Sequence, residues 1–158
     1  MKKILTLIVV AVIGATSAFA QVKGDKAVGL NFLYGTGIES VGLGAKFQYN
    51  VLDPLRLEGS FNYFFKRKGQ RGWEVNATAH YLFPISSRFT LYPLAGIKVA
   101  NVRQGDFGDN SITKFGANLG GGCDFNVTEN WLLNAEIRYS IVSDIDQAVF
   151  SIGAGYRF

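Results

Sequence analysis

The amino-acid sequence predicts an all-β chain whose eight antiparallel strands close into a transmembrane β-barrel, connected as an up-and-down meander. Apolar residues alternate with polar or small residues along eight segments, which places the two classes on opposite faces of a strand. No helical periodicity is found after residue 20. The composition agrees, because 13 Phe and 7 Tyr accompany 19 Gly and only 3 Pro.

Residues 1–20 have the three parts of a secretory signal peptide. A basic start, Met1-Lys2-Lys3, precedes an apolar segment at 4–13 and small residues that end in Ala18-Phe19-Ala20. A helical membrane anchor is the alternative, but the apolar segment is shorter than the roughly 20 residues that such a helix needs. We therefore expect cleavage after Ala20, which leaves one domain at 21–158.

Charge and cysteine content exclude two functional classes. The net charge of +4 falls to +2 when Lys2 and Lys3 are removed, so we expect no nucleic-acid partner. Cys123 is the only cysteine, which excludes an internal disulfide and a cysteine-ligated metal cluster.

The first four strands are predicted at 26–34, 41–50, 55–65 and 73–83. In each strand the large apolar side chains share one parity, and the small or charged side chains share the other. The second strand, for example, alternates Val41, Leu43, Ala45, Phe47 and Tyr49 with Gly42, Gly44, Lys46 and Gln48. These lengths are close to the roughly 9–11 residues that a tilted strand needs to cross a membrane.

The last four strands are predicted at 89–99, 113–127, 131–141 and 148–158. The segment 89–99 is the least regular, because Tyr92 and Leu94 lie on its polar parity and Pro93 interrupts it. The final strand is the most regular. It alternates Ala148, Phe150, Ile152, Ala154, Tyr156 and Phe158 with Val149, Ser151, Gly153, Gly155 and Arg157.

The connections alternate in length. Brief turns are predicted at 51–54, 84–88 and 128–130, and longer polar loops at 35–40, 66–72, 100–112 and 142–147. Bacterial outer-membrane barrels have short periplasmic turns and longer external loops. This pattern predicts that both chain ends lie in the periplasm.

The charged residues predict which face of the barrel is inside. Nearly all charges within the strands lie opposite the large apolar groups, and we expect them to form an ion-pair network in the lumen: Lys46, Arg56, Glu58, Glu74, Lys98, Lys114, Asp124, Glu136 and Arg138. Aromatic residues of the apolar parity concentrate near the strand ends, as in the two girdles of a membrane barrel.

The opposite arrangement would be a soluble periplasmic barrel of the lipocalin type, with an apolar ligand cavity. If the apolar parity of the membrane arrangement met water instead of lipid, it would form a large aggregation-prone surface. The sequence therefore favours lipid contact over the soluble alternative.

Three glycine-aromatic segments carry a resemblance to a known family. They are VGLGAKF at 41–47, LGGGCDF at 119–125 and GAGYRF at 153–158. In this pattern of glycine and aromatic residues the chain resembles the small outer-membrane barrels: the OmpA transmembrane domain, OmpX and the opacity-type barrel proteins. We expect a monomer among outer-membrane lipids and lipopolysaccharide. The resemblance implies that the barrel-assembly machinery reads Ile152, Tyr156 and Phe158.

Two functions remain open. An eight-stranded barrel is largely filled by side chains, which favours a plugged, non-enzymatic protein with a role in envelope integrity or surface interaction. The alternative is a narrow porin-like channel for ions or small solutes.

Catalytic and ligand sites have little support in the sequence. His80 is the only histidine, so no catalytic constellation, metal site or cofactor is expected. The basic segment Lys66, Arg67, Lys68 and Arg71 is the candidate for contact with lipopolysaccharide phosphates.

Overall fold

The computed structural model describes residues 22–67, 69–104, 111–143 and 146–158. These residues form eight long strands: β1 (Lys26–Gly35), β2 (Ser40–Leu52), β3 (Leu55–Arg67), β4 (Gln70–Tyr81), β5 (Phe89–Gln104), β6 (Ser111–Asn126), β7 (Trp131–Val142) and β8 (Gln147–Arg157). The pair Phe83–Pro84 continues the β4 ladder in register, with Phe83 opposite Leu91. The expected signal peptide at 1–20 lies outside the described residues.

Every strand pairs with its sequence neighbours in antiparallel fashion, and the first and last strands complete the ring. Val28 of β1 lies opposite Phe47 of β2 on one side and Tyr156 of β8 on the other. The β4–β5 ladder joins the two halves, with Ala77 opposite Ile97. The predicted closed, eight-stranded antiparallel meander is confirmed.

The two parities of each strand face as predicted. Leu43, Leu133 and Ile152 are 53%, 50% and 63% exposed on the outside, whereas Glu58 and Arg138 are 3% and 2% exposed. The apolar side chains therefore cover the exterior, and the ionic ones are enclosed. The soluble lipocalin-like alternative is wrong, because it requires the reverse.

Within the described ranges, no helix is both long and apolar enough to cross a membrane.

The barrel has two unlike ends. We call the end at which β1 begins and β8 finishes the terminus end, and the opposite end the loop end. The terminus-end connections lie at 53–54, 85–88 and 127–130, and the loop-end connections at 36–39, 68–69, 105–110 and 143–146.

The predicted long loop at 66–72 is wrong. β3 continues to Arg67 and β4 starts at Gln70, and these two residues pair with each other. Gly69 has a φ of 79°, the left-handed conformation that glycine adopts without a steric penalty. The pairing register of β3 with β4 shifts between Phe64 and Arg67, next to the connection between the two strands. Backbone pairing needs no apolar side chains, so polar residues could extend these strands beyond the alternating segment.

The predicted loop at 100–112 is also too long, for the same reason. β5 extends to Gln104 and β6 begins at Ser111, with Arg103 opposite Ser111. The β6–β7 pairing begins only at Gly116, opposite Val142. The start of β6 therefore projects beyond the last residue of β7.

Two small apolar clusters lie inside the barrel. At the loop end, Leu33, Phe64 and Val149 are buried together, and Ile38 of the first connection packs on them. At the terminus end, Leu82, Tyr92 and Leu94 form the second cluster. The charged part of the lumen lies between these clusters.

Candidate functional site

Eight of the nine residues predicted for the ion-pair network are buried in the lumen. Four are basic (Lys46, Arg56, Lys98, Arg138) and four are acidic (Glu58, Glu74, Asp124, Glu136). They come from six strands, and strand alternation directs each of them inward. Because burying an unpaired charge is very costly, the equal numbers of each sign suit an enclosed site.

The layer nearest the terminus end is built around Arg56. Its Nη1 donates to Asp124 Oδ2 over 2.6 Å, and its Nε and Nη2 lie 3.3 and 3.0 Å from His80 Nδ1. A guanidinium group can only donate, so Nδ1 is the acceptor and the ring proton sits on Nε2. That proton points to Thr78 Oγ1, 3.0 Å away. His80 is thus held by hydrogen bonds on both ring nitrogens.

Tyr92 completes this layer from β5. Its ring stacks on His80 with centroids 4.6 Å apart and an interplanar angle of 3°. Arg56 Cζ lies 4.7 Å from the same ring centroid, within cation–π range. The Tyr92 hydroxyl donates to Glu136 Oε2 over 3.1 Å. This links the terminus-end layer to the middle of the lumen.

The middle of the lumen holds two further carboxylates. Glu58 Oε2 accepts from Gln48 over 2.7 Å and lies 3.4 Å from Lys46 Nζ. Glu136 Oε1 lies 3.1 Å from Arg138 Nε. Glu58 therefore has a basic partner on the neighbouring strand, and Glu136 has a basic partner two residues along its own strand.

Glu74 is the centre of the layer nearest the loop end. It accepts a short hydrogen bond from Lys98 of β5 and a 2.9 Å bond from Asn62 of β3. Arg138 Nη2 of β7 reaches within 3.8 Å of the same carboxylate. Lys98 also donates to Ser140 over 3.1 Å. These contacts join β3, β4, β5 and β7 across the lumen.

Lys114 lies nearer the loop end than the other predicted network residues. It is half-buried there, and its Nζ donates to the Ser143 carbonyl over 2.6 Å. It lines the same cavity as Glu74 and Lys98. Its membership of the ion-pair network stays a prediction.

One group of potential metal ligands occurs among the described residues. Ligand atoms of Glu58, His80 and Glu136 lie within 4.8 Å of one another. However, Arg56 donates to His80 Nδ1, and Lys46 and Arg138 lie beside the two carboxylates. This positive surrounding fits internal ion pairing better than a bound cation.

The residues of the proposed assembly signal lie on the outer surface. Ile152 and Phe158 are each 63% exposed, and Tyr156 is 40% exposed. The Phe158 backbone N–H donates to the Lys26 carbonyl over 2.9 Å, so the last residue still takes part in barrel closure. Their side chains are oriented for lipid contact.

The basic segment is located on a projecting hairpin. Lys66 and Arg67 end β3 and Arg71 is the second residue of β4. All three are exposed at the loop end, whereas Lys68 lies outside the described residues. Arg103 lies directly opposite Arg71 on β5. The sequence did not indicate this fourth exposed cation, because Arg103 fell within a predicted loop, where no face or neighbour could be assigned.

Comparison with known proteins agrees with this geometry. A family model described as outer membrane protein beta-barrel domain matches residues 6–158. Outer membrane protein X of Enterobacter cloacae is 27% identical over 172 residues, which cover 100% of each chain. The attachment invasion locus protein of Yersinia enterocolitica is 29% identical over 128 residues, 74% of this chain and 72% of the relative.

A solved structure shows the same fold. The N-terminal barrel domain of OprF from Pseudomonas aeruginosa superposes with a TM-score of 0.77 at 18% identity, over 87% of this chain and 100% of that domain. The family model covers nearly the whole chain and supplies the stronger assignment. The chain therefore belongs to the family of outer membrane protein beta-barrel domains and is a protein of the bacterial outer membrane.

Proposed function

We propose that this protein is a non-enzymatic outer-membrane barrel with a plugged lumen, acting in envelope integrity or surface interaction. The central observation is the set of ion pairs that cross the lumen between the two apolar clusters. Removing one partner from a buried pair typically costs about 3–5 kcal/mol. A solute would have to break several such pairs to pass, so the closed state is strongly favoured.

A narrow channel for ions or small solutes is the second candidate. One observation favours it: the side-chain oxygens of Asn31, Asn62 and Asn134 are buried and make no hydrogen bond within the described part of the chain. Buried polar groups of this kind are commonly satisfied by water. A hydrated path beside the ion pairs would be needed for conduction.

Planar-bilayer conductance of the refolded 21–158 chain distinguishes the two candidates. A plugged lumen predicts no discrete openings for the wild type. The variant Leu33→Ala/Phe64→Ala, which removes the loop-end apolar cluster, serves as a test for partial opening. Discrete wild-type openings that Glu136→Gln abolishes would instead establish the channel and contradict the plugged state.

The basic hairpin supports a surface role. We propose that Lys66, Arg67, Lys68 and Arg71 contact lipopolysaccharide phosphates, because the three described members are exposed beside the outward aromatic residues of β3 and β4. One relative is named an attachment invasion locus protein, which is in keeping with surface interaction. Replacing all four residues by Ser should lower lipopolysaccharide affinity, and unchanged affinity would refute the contact.

We also propose that both chain ends face the periplasm, which puts the basic hairpin outside the cell. The longest connection between strands, at 105–110, belongs to the loop end, which supports this orientation. In a Cys123→Ser background, the Gly69→Cys variant should react on intact cells with a thiol reagent that cannot cross membranes. The Ser87→Cys variant should not react. The reverse labelling pattern would overturn the orientation.

Assembly and oligomeric state complete the proposal. The barrel-assembly machinery is proposed to recognise Ile152, Tyr156 and Phe158, and the folded barrel is proposed to be a monomer. Among the described strands, closure of the sheet through the β1–β8 ladder leaves no free edge along the membrane-spanning wall, which supports a monomer. Sedimentation in detergent should give a single barrel per particle.

A further inference from the structure

The outward face of β4, β5 and β6 carries three parallel rows of side chains near the loop end. The register aligns Val75 with Val99 and Phe115, then Trp73 with Asn101 and Thr113, and finally Arg71 with Arg103 and Ser111. Successive rows are two residues apart, or roughly 7 Å along the strands. The surface therefore changes from apolar to amphipathic to cationic over two short steps toward the loop end.

The cationic row contains an arrangement that is unfavourable by itself. Arg71 and Arg103 are both exposed and lie directly opposite each other on neighbouring strands. Like charges in this cross-strand position repel. An anion held between the two guanidinium groups would turn that repulsion into two charge-assisted interactions.

The middle row is closed by its own contacts. Asn101 is only 7% exposed, and its Nδ2 donates to Thr113 Oγ1 over 2.8 Å. Its Oδ1 is enclosed, so this amide is not available to an external headgroup. The binding groups of this surface are therefore the two arginines of the cationic row.

We propose that Arg71 and Arg103 together bind the phosphate of a membrane glycolipid. The source is a membrane lipid because the rows continue directly into the apolar exterior at Val75 and Phe115. The planar guanidinium group of arginine can donate two parallel hydrogen bonds to two oxygens of a phosphate group. This inference rests on the proposed lipopolysaccharide contact and identifies the residues that would make it.

The test measures retention of lipid A by the refolded barrel in phosphatidylcholine nanodiscs, using native mass spectrometry. Arg71→Gln/Arg103→Gln is compared with Lys23→Gln/Arg88→Gln, which removes the same charge from two exposed positions at the terminus end. We expect the first variant to lose at least about tenfold in lipid A affinity and the second to remain within about threefold, as bidentate phosphate binding is geometrically specific. Arg71→Lys/Arg103→Lys should also lose most of the affinity.

Two additional measurements distinguish a phosphorylated lipid from free phosphate as the ligand. Lipid A stripped of its phosphates should bind the wild type as weakly as phosphorylated lipid A binds the glutamine variant. Inorganic phosphate should not displace phosphorylated lipid A. If it does so at low millimolar concentration, the site takes free phosphate and the lipid assignment is overturned.

The remaining outcomes distinguish this proposal from the one on which it rests. If the wild type retains no lipid A, both the lipopolysaccharide contact and the phosphate site are refuted. If the wild type retains it and Arg71→Gln/Arg103→Gln weakens no more than Lys23→Gln/Arg88→Gln, the contact stands, but the paired arginines are not a specific site. Heat-modifiable gel migration identifies variants that have folded, and the lysine variant provides the test if the glutamine variant does not fold.

Discussion

Each buried charge in the lumen is placed by strand alternation and stabilised by groups from other strands. Glu74 shows this most clearly, since Lys98, Asn62 and Arg138 reach it from β5, β3 and β7. The inward direction of Glu74 could be predicted from the alternation of β4 alone. Its partners could not, because they depend on which strands face each other across the closed barrel.

Glu74→Gln should destabilise the barrel by about 3–5 kcal/mol, because it leaves Lys98 buried beside a neutral amide. Urea unfolding in lipid vesicles, followed by tryptophan fluorescence, measures the change. The double variant Glu74→Gln/Lys98→Met removes both charges and should recover much of the loss. Equal instability of the single and double variants would show that the ion pair contributes little.

Two glycines provide a matched comparison of lumen and exterior. A Cβ atom at Gly122 would lie 2.6 Å from the Tyr92 hydroxyl and 2.7 Å from the Ala135 carbonyl oxygen, whereas one at Gly59 would meet no atom within 4 Å. Gly122→Ala should cost about 1–3 kcal/mol through overpacking. Gly59→Ala should be neutral or stabilising by about 0.5–1 kcal/mol. The same urea titration compares them, and equal effects would contradict the tight packing around Tyr92.

At the scale of the strand, the alternating pattern predicted where most elements lie but not how far they continue. The alternation of β3 and β4 is clear in the sequence, yet the connection between them was predicted as a long loop. Backbone hydrogen bonds extended both strands into the polar segment. The lumen-facing position of Phe64 was similarly hidden, because it lies within the aromatic run Tyr63-Phe64-Phe65.

Ile97 and Val41 both face outward, at different depths in the barrel. Ile97 is 69% exposed on the outer wall opposite Ala77 and Ala117, whereas Val41 is 38% exposed at the loop-end start of β2. Ile97→Arg should cost about 2–4 kcal/mol and Val41→Arg no more than about 1 kcal/mol, because the cost of a lipid-facing charge falls away from the bilayer centre. Unfolding in vesicles measures both, and equal costs would contradict this depth assignment.

At the scale of the whole molecule, closure of the sheet into a barrel stabilises the fold and involves the last residue of the chain. The β1–β8 ladder joins the first and last strands, and the backbone of Phe158 adds a hydrogen bond to Lys26. The Phe158 side chain remains exposed on the outside. Its backbone therefore contributes to closure, whereas its ring is available for recognition during assembly.

Phe158→Ala should separate these two contributions. The refolded variant should keep its unfolding free energy within about 0.5 kcal/mol of the wild type, as expected for an exposed side chain. In cells, much less of it should reach the outer-membrane fraction in heat-modifiable form. Normal membrane assembly of the variant would contradict a signal role, whereas a large loss of stability after refolding would assign the ring a structural role instead.

The sequence by itself determined the number of strands, their order and the face that each presents. Those properties follow from alternation along a single strand and from the position of the turns, which are local. Only the tertiary structure decided the partners of Glu74 and His80, the apolar clusters of Leu33 and Leu82, and the opposition of Arg71 and Arg103. These contacts depend on the register and curvature of the closed sheet, which bring together side chains that are distant in the sequence.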